Sequence, residues 1–200
     1  LKNLKINGNG KIHYLNIQHS INTSKLKEIF TNYNDSFQIT DTEIKFSSED
    51  QKQDIELQGL INLTDEYENF QTKVIFDQKK NITNFDAKID LNSSIIELPF
   101  LNYKKEINDK ANLKVKGSRK KNSGYNFNLF DFKQSNNQIL IKSIEFNDKN
   151  QVNNLQELFI HTTYDNLVNN NFKITKNKKI KIQGEIFDAR PLLKQLNKKD

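Results

Sequence analysis

The feature that most constrains this chain is a two-residue alternation of apolar and polar side chains, recurring in short blocks along almost its whole length. Ile55, Leu57, Gly59, Ile61 and Leu63 share one parity, as do Phe70, Thr72, Val74 and Phe76, and then Phe85, Ala87, Ile89 and Leu91. Successive side chains of a strand point to opposite faces, so each block reads as a strand with one apolar and one wet face, with Lys73, Asp86, Lys88 and Asp90 on the wet side. Later blocks repeat the theme: Leu113 and Val115; Tyr125, Phe127 and Leu129; Leu140, Ile144 and Phe146; Leu158 and Ile160; Ile180, Ile182 and Ile186. The connections at 47–52, 77–81, 119–123, 134–137 and 147–154 are short and polar, which suits consecutive antiparallel hairpins. About a dozen strands are expected.

Composition fits such strands. Only 34% of the 200 residues are hydrophobic, too few for all-round apolar strands but enough for one-faced ones, and 23 Ile and 14 Phe spread evenly argue against disorder. The net charge of +6 does not point to nucleic acid, because Arg119 and Arg190 are the only arginines among 31 basic residues and base or phosphate recognition favours the guanidinium fork. With 30 Asn and abundant Lys and Ile, the basicity reads as the usage of an A/T-rich coding sequence. The basic runs at Arg119–Lys121 and Lys176–Lys181 fall between apolar blocks and read as solvated turns. No run approaches the roughly 18 to 20 apolar residues of a membrane-spanning helix, and the first ten residues lack a signal-peptide core. The absence of Met predicts an internal segment of a longer protein, and residues 1–200 read as one β-rich unit with no linker inside it.

Two segments have helical spacing. Leu26, Ile29, Phe30 and Tyr33 follow Ser24 as a possible N-cap, predicting a short helix near 24–33. Asp188 as cap, Pro191 in the first turn and Leu192, Leu193 and Leu196 as a stripe predict a second near 190–198.

Chemistry-bearing motifs are sparse. There is no Cys, so disulfides, thiolate metal sites and cysteine nucleophiles are excluded. His13 and His19 would stand roughly 20 Å apart on one strand, too far for one metal ion. Glu49–Asp50 and Asp65–Glu66 lie in expected turns as solvated carboxylates, and Gly8 and Gly10 continue the apolar parity of a strand rather than forming a phosphate loop. Five Asn-x-Ser/Thr patterns, beginning at Asn22, Asn34, Asn62, Asn81 and Asn92, are what so much Asn produces by chance. No catalytic residue, metal site or cofactor is expected.

Two passages carry a resemblance. Ile89-Asp90-Leu91, Ile95-Ile96, Leu98-Pro99, Tyr103-Lys104-Lys105 and Ala111-Asn112-Leu113 follow one another in an order similar to a "DLT…P…W-K-K…A" passage, with Tyr103 in place of Trp. Gly184 to Leu193, reading G-E-I-F-D-A-R-P-L-L, is similar to a "G-x-x-(F/L)-D-A-R-P-L-L" ending. Both resemble the AsmA-like superfamily of bacterial envelope proteins, particularly its large YhdP-type members, and they bracket about the last 110 residues.

The resemblance implies an elongated, twisted antiparallel sheet curled into an open half-tube. It implies a periplasmic protein, tethered to the inner membrane by a segment outside this chain, whose apolar groove conducts phospholipid toward the outer membrane. The parity of the blocks would then make Ile55, Leu57, Ile61, Phe70, Val74, Phe76, Phe85, Ile89, Leu140, Ile144, Ile180, Ile182 and Ile186 the groove lining, with phospholipid acyl chains as partner. A structural or adhesive β-sandwich module without a lipid ligand is the alternative. An open apolar face favours the first and a sealed two-sheet core the second.

Overall fold

The computed structural model describes residues 5–18, 28–34, 36–121, 123–149 and 151–196. Thirteen strands form: β1 (Ile6–Gln18), β2 (Ser36–Glu49), β3 (Lys52–Asn62), β4 (Tyr67–Asp77), β5 (Ile82–Asp90), β6 (Ile96–Leu98), β7 (Tyr103–Lys105), β8 (Ala111–Lys120), β9 (Gly124–Gln134), β10 (Asn137–Phe146), β11 (Val152–Tyr164), β12 (Leu167–Lys176) and β13 (Ile180–Ile186). Eleven of them make one antiparallel sheet in the order β1-β2-β3-β4-β5-β8-β9-β10-β11-β12-β13. β1 and β13 are its edges, so the sheet is open, and at the usual strand spacing it is about 50 Å wide. This is the mainly β, antiparallel architecture that the alternation predicts, and the sheet is unclosed, as the resemblance implies.

The wet face explains why the register holds. Lys45, Glu56, Lys73, Asp86 and Lys116 stand opposite one another on five adjacent strands, alternating in sign. Lys73 Nζ lies 2.7 Å from Glu56 and 2.9 Å from Asp54, and Lys116 Nζ lies 2.7 Å from Asp86. Pairs this exposed add little stability, but the native register is the one that sets these opposite charges face to face along the row.

One segment leaves the meander. Between β5 and β8, residues 91–110 fold back as the hairpin β6–β7, joined by a 3-10 turn at Pro99–Leu101. Pro99 ends β6, as its fixed φ and missing N–H favour. Leu91, Ile96, Leu98, Leu101 and Tyr103 from this insertion pack with Ala111, Phe132, Ile160 and Phe172 of the sheet as the main buried cluster. A smaller cluster joins Ile39, Ile61 and Phe70. The core thus sits at one end of the apolar face, with the insertion as its lid.

Polar bonds pin the insertion at its root and its tip. At the root, Lys105 is fully buried and its ammonium donates to the carbonyls of Asn92 (3.0 Å), Ser94 (2.7 Å) and Glu106 (2.9 Å). Glu68 accepts from the Ser93 N–H and the Asn92 amide, and Tyr103 Oη lies 3.0 Å from Gln134 Oε1. At the tip, Asn170 donates to Leu101 O at 2.8 Å and Asn169 to the same oxygen at 3.0 Å, while Asn102 donates to Asp188 at 3.2 Å.

Asp188 then accepts the Arg190 N–H at 3.1 Å at the start of α1 (Arg190–Leu196), the capping role expected of it, with Pro191 in the first turn. Of the helix expected near 24–33, residues 24–27 lie outside the described residues; Phe30 bridges to Ile96.

The Arg190 guanidinium donates to both Asp188 oxygens, at 2.8 and 2.6 Å, and holds that carboxyl well below the usual carboxylate range. A carboxyl depressed in the folded state gives stability that is complete above its unfolded value, about 4, and lost as pH falls through the lower folded value. Acidification below about pH 4 is therefore expected to loosen the tip before the sheet. Hydrogen exchange should show amide protection at 101–102 and 189–193 falling first, and Asp188→Asn should blunt that response. An unchanged acid response in Asp188→Asn would contradict this assignment.

Candidate functional site

Registered rows of apolar side chains cross the sheet on the face that carries the insertion. In one row Ile44, Leu57, Thr72, Ala87 and Val115 are followed by Phe130, Ile141, Leu158, Ile174 and Ile182, each opposite the next from β2 to β13. The next row, farther from the insertion, runs Phe46, Ile55, Val74, Phe85, Gly117, Phe127, Ile144, Leu155, Lys176 and Ile180. Phe46, Ile55, Val74, Phe85, Phe127 and Ile144 neither belong to nor pack against either buried cluster among the described residues. They remain half-buried, which is the candidate site: an apolar strip that the chain's own core does not cover.

Aromatic rings hold the middle of this strip. Phe85 and Phe127 meet edge to face at 5.7 Å, Phe127 and Phe146 at 6.1 Å, and Tyr125 stacks on Phe127 at 6.3 Å. Gly117 makes the arrangement possible, because a Cβ there would lie 2.7 Å from Phe85 Cζ and 2.4 Å from Asn126 O. The glycine lets the Phe85 ring lie across the strand.

Eleven of the thirteen residues of the expected lining divide into four groups. Leu57 and Ile182 stand in the first row; Ile55, Val74, Phe85, Ile144 and Ile180 stand in the second; Phe76 lies one row farther toward the rim. Ile61 and Phe70 are each 6% exposed inside the smaller cluster, and Ile89 packs against both clusters, so these three serve the core.

Leu140 is a correction. It stands opposite Asp131 and Phe159, and Asp131 is opposite Lys114, so it faces the wet side. Ser143, with φ of 50°, is the reason: across it the parity reverses, placing Ile139 and Ile141 on the apolar face before it and Ile144 and Phe146 after it. Ile186 is a second correction, since a bulge between Gly184 and Ile186 sets it opposite Asn171, in the row of His161 and Gln138, instead of opposite Asn170. Leu129 departs from the parity of Tyr125 and Phe127 in the same way, standing opposite Lys116 beside a register shift.

Residues that the alternation did not single out also stand on this face. Phe130 and Ile141 occupy the first row. Arg119 stands at the rim, its guanidinium 5.2 Å from the centre of the Tyr125 ring.

No group of His, Asp and Glu that could hold a metal ion occurs among the described residues. His161 stacks on Phe159, on a register row with Gln138 and Asn171; His19 lies outside the described residues. The recess lined by Glu43, Lys45, Glu56, Lys73, Asp86 and Lys88, about 270 Å³, is the gap between neighbouring charged ladders on the wet face. No helix among the described residues is long and apolar enough to cross a membrane. Compared with protein-family models, with curated proteins and with solved structures, the chain finds no match.

Proposed function

We propose that this chain is a non-catalytic segment of a lipid-transfer bridge, in which phospholipid acyl chains lie along the uncovered rows of the apolar face. One observation carries the reading: apolar side chains continue in register from β2 to the β13 edge of an open sheet, while among the described residues the core closes only one end of the face. At β13, Ile180 and Ile182 remain 66% and 65% exposed. Water against such a strip is unfavourable by about 1.5 to 3 kcal/mol for each large side chain it could otherwise bury.

Acyl chains suit the strip because their own cost of leaving a bilayer, about 0.8 kcal/mol per CH₂, is offset along any continuous apolar path. A row crossing ten strands, from β2 to β13, supplies such a path, whereas an enclosed pocket would hold a lipid without passing it on. The AsmA-like resemblance points to the same use and supplies the periplasmic setting and the inner-membrane tether of the proposal. A sealed β-sandwich module is the less favoured reading, since no second large sheet packs on the first among the described residues.

Native mass spectrometry of the full-length protein that contains this chain tests the reading. Phospholipid is expected to remain bound after purification in mild detergent and to leave after delipidation. A lipid-free protein that also takes up none from vesicles would overturn it.

A further inference from the structure

We infer that the rim of the uncovered strip is a headgroup subsite, in which Arg119 holds the phosphate of a glycerophospholipid whose acyl chains lie on Val74, Phe85, Phe127 and Ile144. The inference rests on the lipid reading above and adds where the polar end of the ligand sits.

The two arginines of the chain are used differently. Arg190 is committed to Asp188, with 2.6 Å between Nη2 and Oδ2. Arg119 has no carboxylate partner among the described residues; its contact is the face of Tyr125. Its position is informative as well. On β8, Leu113, Val115, Gly117 and Arg119 share a parity, and Gly117 is the residue beneath the Phe85 ring. Arg119 therefore emerges on the apolar face, opposite Thr83 and Tyr125, one row beyond the uncovered strip.

Two residues of strand separate it from Gly117, about 7 Å, short enough for one ligand to span both. The adjoining recess of about 320 Å³ brings in Phe76 and a second cation, Lys121. Asp77 lines that recess too, but it is buried and its Oδ1 accepts the Lys80 N–H at 2.9 Å.

Charge and direction agree on the occupant. A guanidinium presents paired donors that match phosphate oxygens, and an aromatic ring beside it suits the boundary between acyl chain and water. The insertion closes the opposite end of the face, so a lipid lying here keeps its headgroup in water only by pointing it toward the Arg119 rim. A neutral apolar ligand would gain nothing from an unpaired cation at that place.

The test compares two tail-labelled fluorescent lipids with identical chains, phosphatidylglycerol and diacylglycerol, titrated into the full-length protein. Arg119→Gln is expected to weaken phosphatidylglycerol about tenfold and leave diacylglycerol unchanged, while Arg119→Lys, which keeps the charge but not the paired donors, falls between the two. If Arg119→Gln binds phosphatidylglycerol as the wild type does, or weakens both lipids equally, the subsite is wrong and the lipid reading stands. If the wild type binds neither lipid, both fall.

Discussion

Lys105→Met is expected to destabilise the protein by about 3 kcal/mol, far more than most lysine substitutions, because the change removes a buried donor and leaves its acceptors behind. The methionine stem can fill the same space. It cannot replace the bonds from Nζ to the carbonyls of Asn92, Ser94 and Glu106. A hydrogen bond from a charged group contributes roughly 1.5 to 3 kcal/mol, and a buried acceptor left unpaired costs about 1 to 3 kcal/mol.

Burial pushes the Lys105 ammonium below the usual lysine range, opposed by Asp109, Glu68 and Glu106. The group is thus held against its own desolvation by the loop it closes. Since Leu91, Ile96, Leu98, Leu101 and Tyr103 depend on that loop, the loss should be concentrated in residues 91–110. Urea unfolding should show the lower midpoint, and hydrogen exchange should show the insertion opening first. A Lys105→Met variant as stable as the wild type would mean that the three bonds contribute nothing net.

The double substitution Val74→Asp with Ile144→Asp is expected to reduce bound lipid to less than about a tenth, because an ionised carboxylate against an acyl chain has neither water nor a donor. Both residues are only half-buried and lie outside the buried clusters, so the fold should persist. Leu140→Asp is the matched control: the same chemical change on the wet face, expected to leave lipid occupancy unaltered. Native mass spectrometry gives the occupancy and circular dichroism confirms the sheet. Full lipid occupancy in the double variant would remove the uncovered rows from the path.

Alternation made the sheet legible because a two-residue period maps directly onto two faces, and one face of this sheet carries apolar rows from β2 to β13. It failed at single residues. Ser143, the register shift beside Leu129 and the bulge before Ile186 each reverse a parity, and nothing in the local pattern announces a bulge when apolar residues such as Ile139, Leu140 and Ile141 run consecutively.

The insertion was visible only as a break in the strands. Its return over Phe132 and Phe172 is a long-range event with no periodic trace. Lys105 looks in sequence like any solvated lysine, and Asn169 and Asn170 disappear among 30 asparagines, yet these three side chains fasten the lid. Arg119 reads in sequence as part of a basic turn; the informative signal is its parity with Val115 and Gly117, which places it on the apolar side. The resemblance to AsmA-like proteins marked Asp188 to Pro191, and the structure gives that passage a local role as cap and latch.

Photocrosslinking to lipid tests the central claim most directly. A photoreactive residue placed at Val74, Phe85 or Ile144 in the full-length protein should form phospholipid adducts in the cell envelope, detected by mass spectrometry. The same residue at Lys73, Asp86 or Leu140, on the opposite face of the same three strands, should form none. Adducts confined to the first set are the expected result; adducts from both sets alike, or from neither, would contradict an acyl-chain path along the uncovered rows.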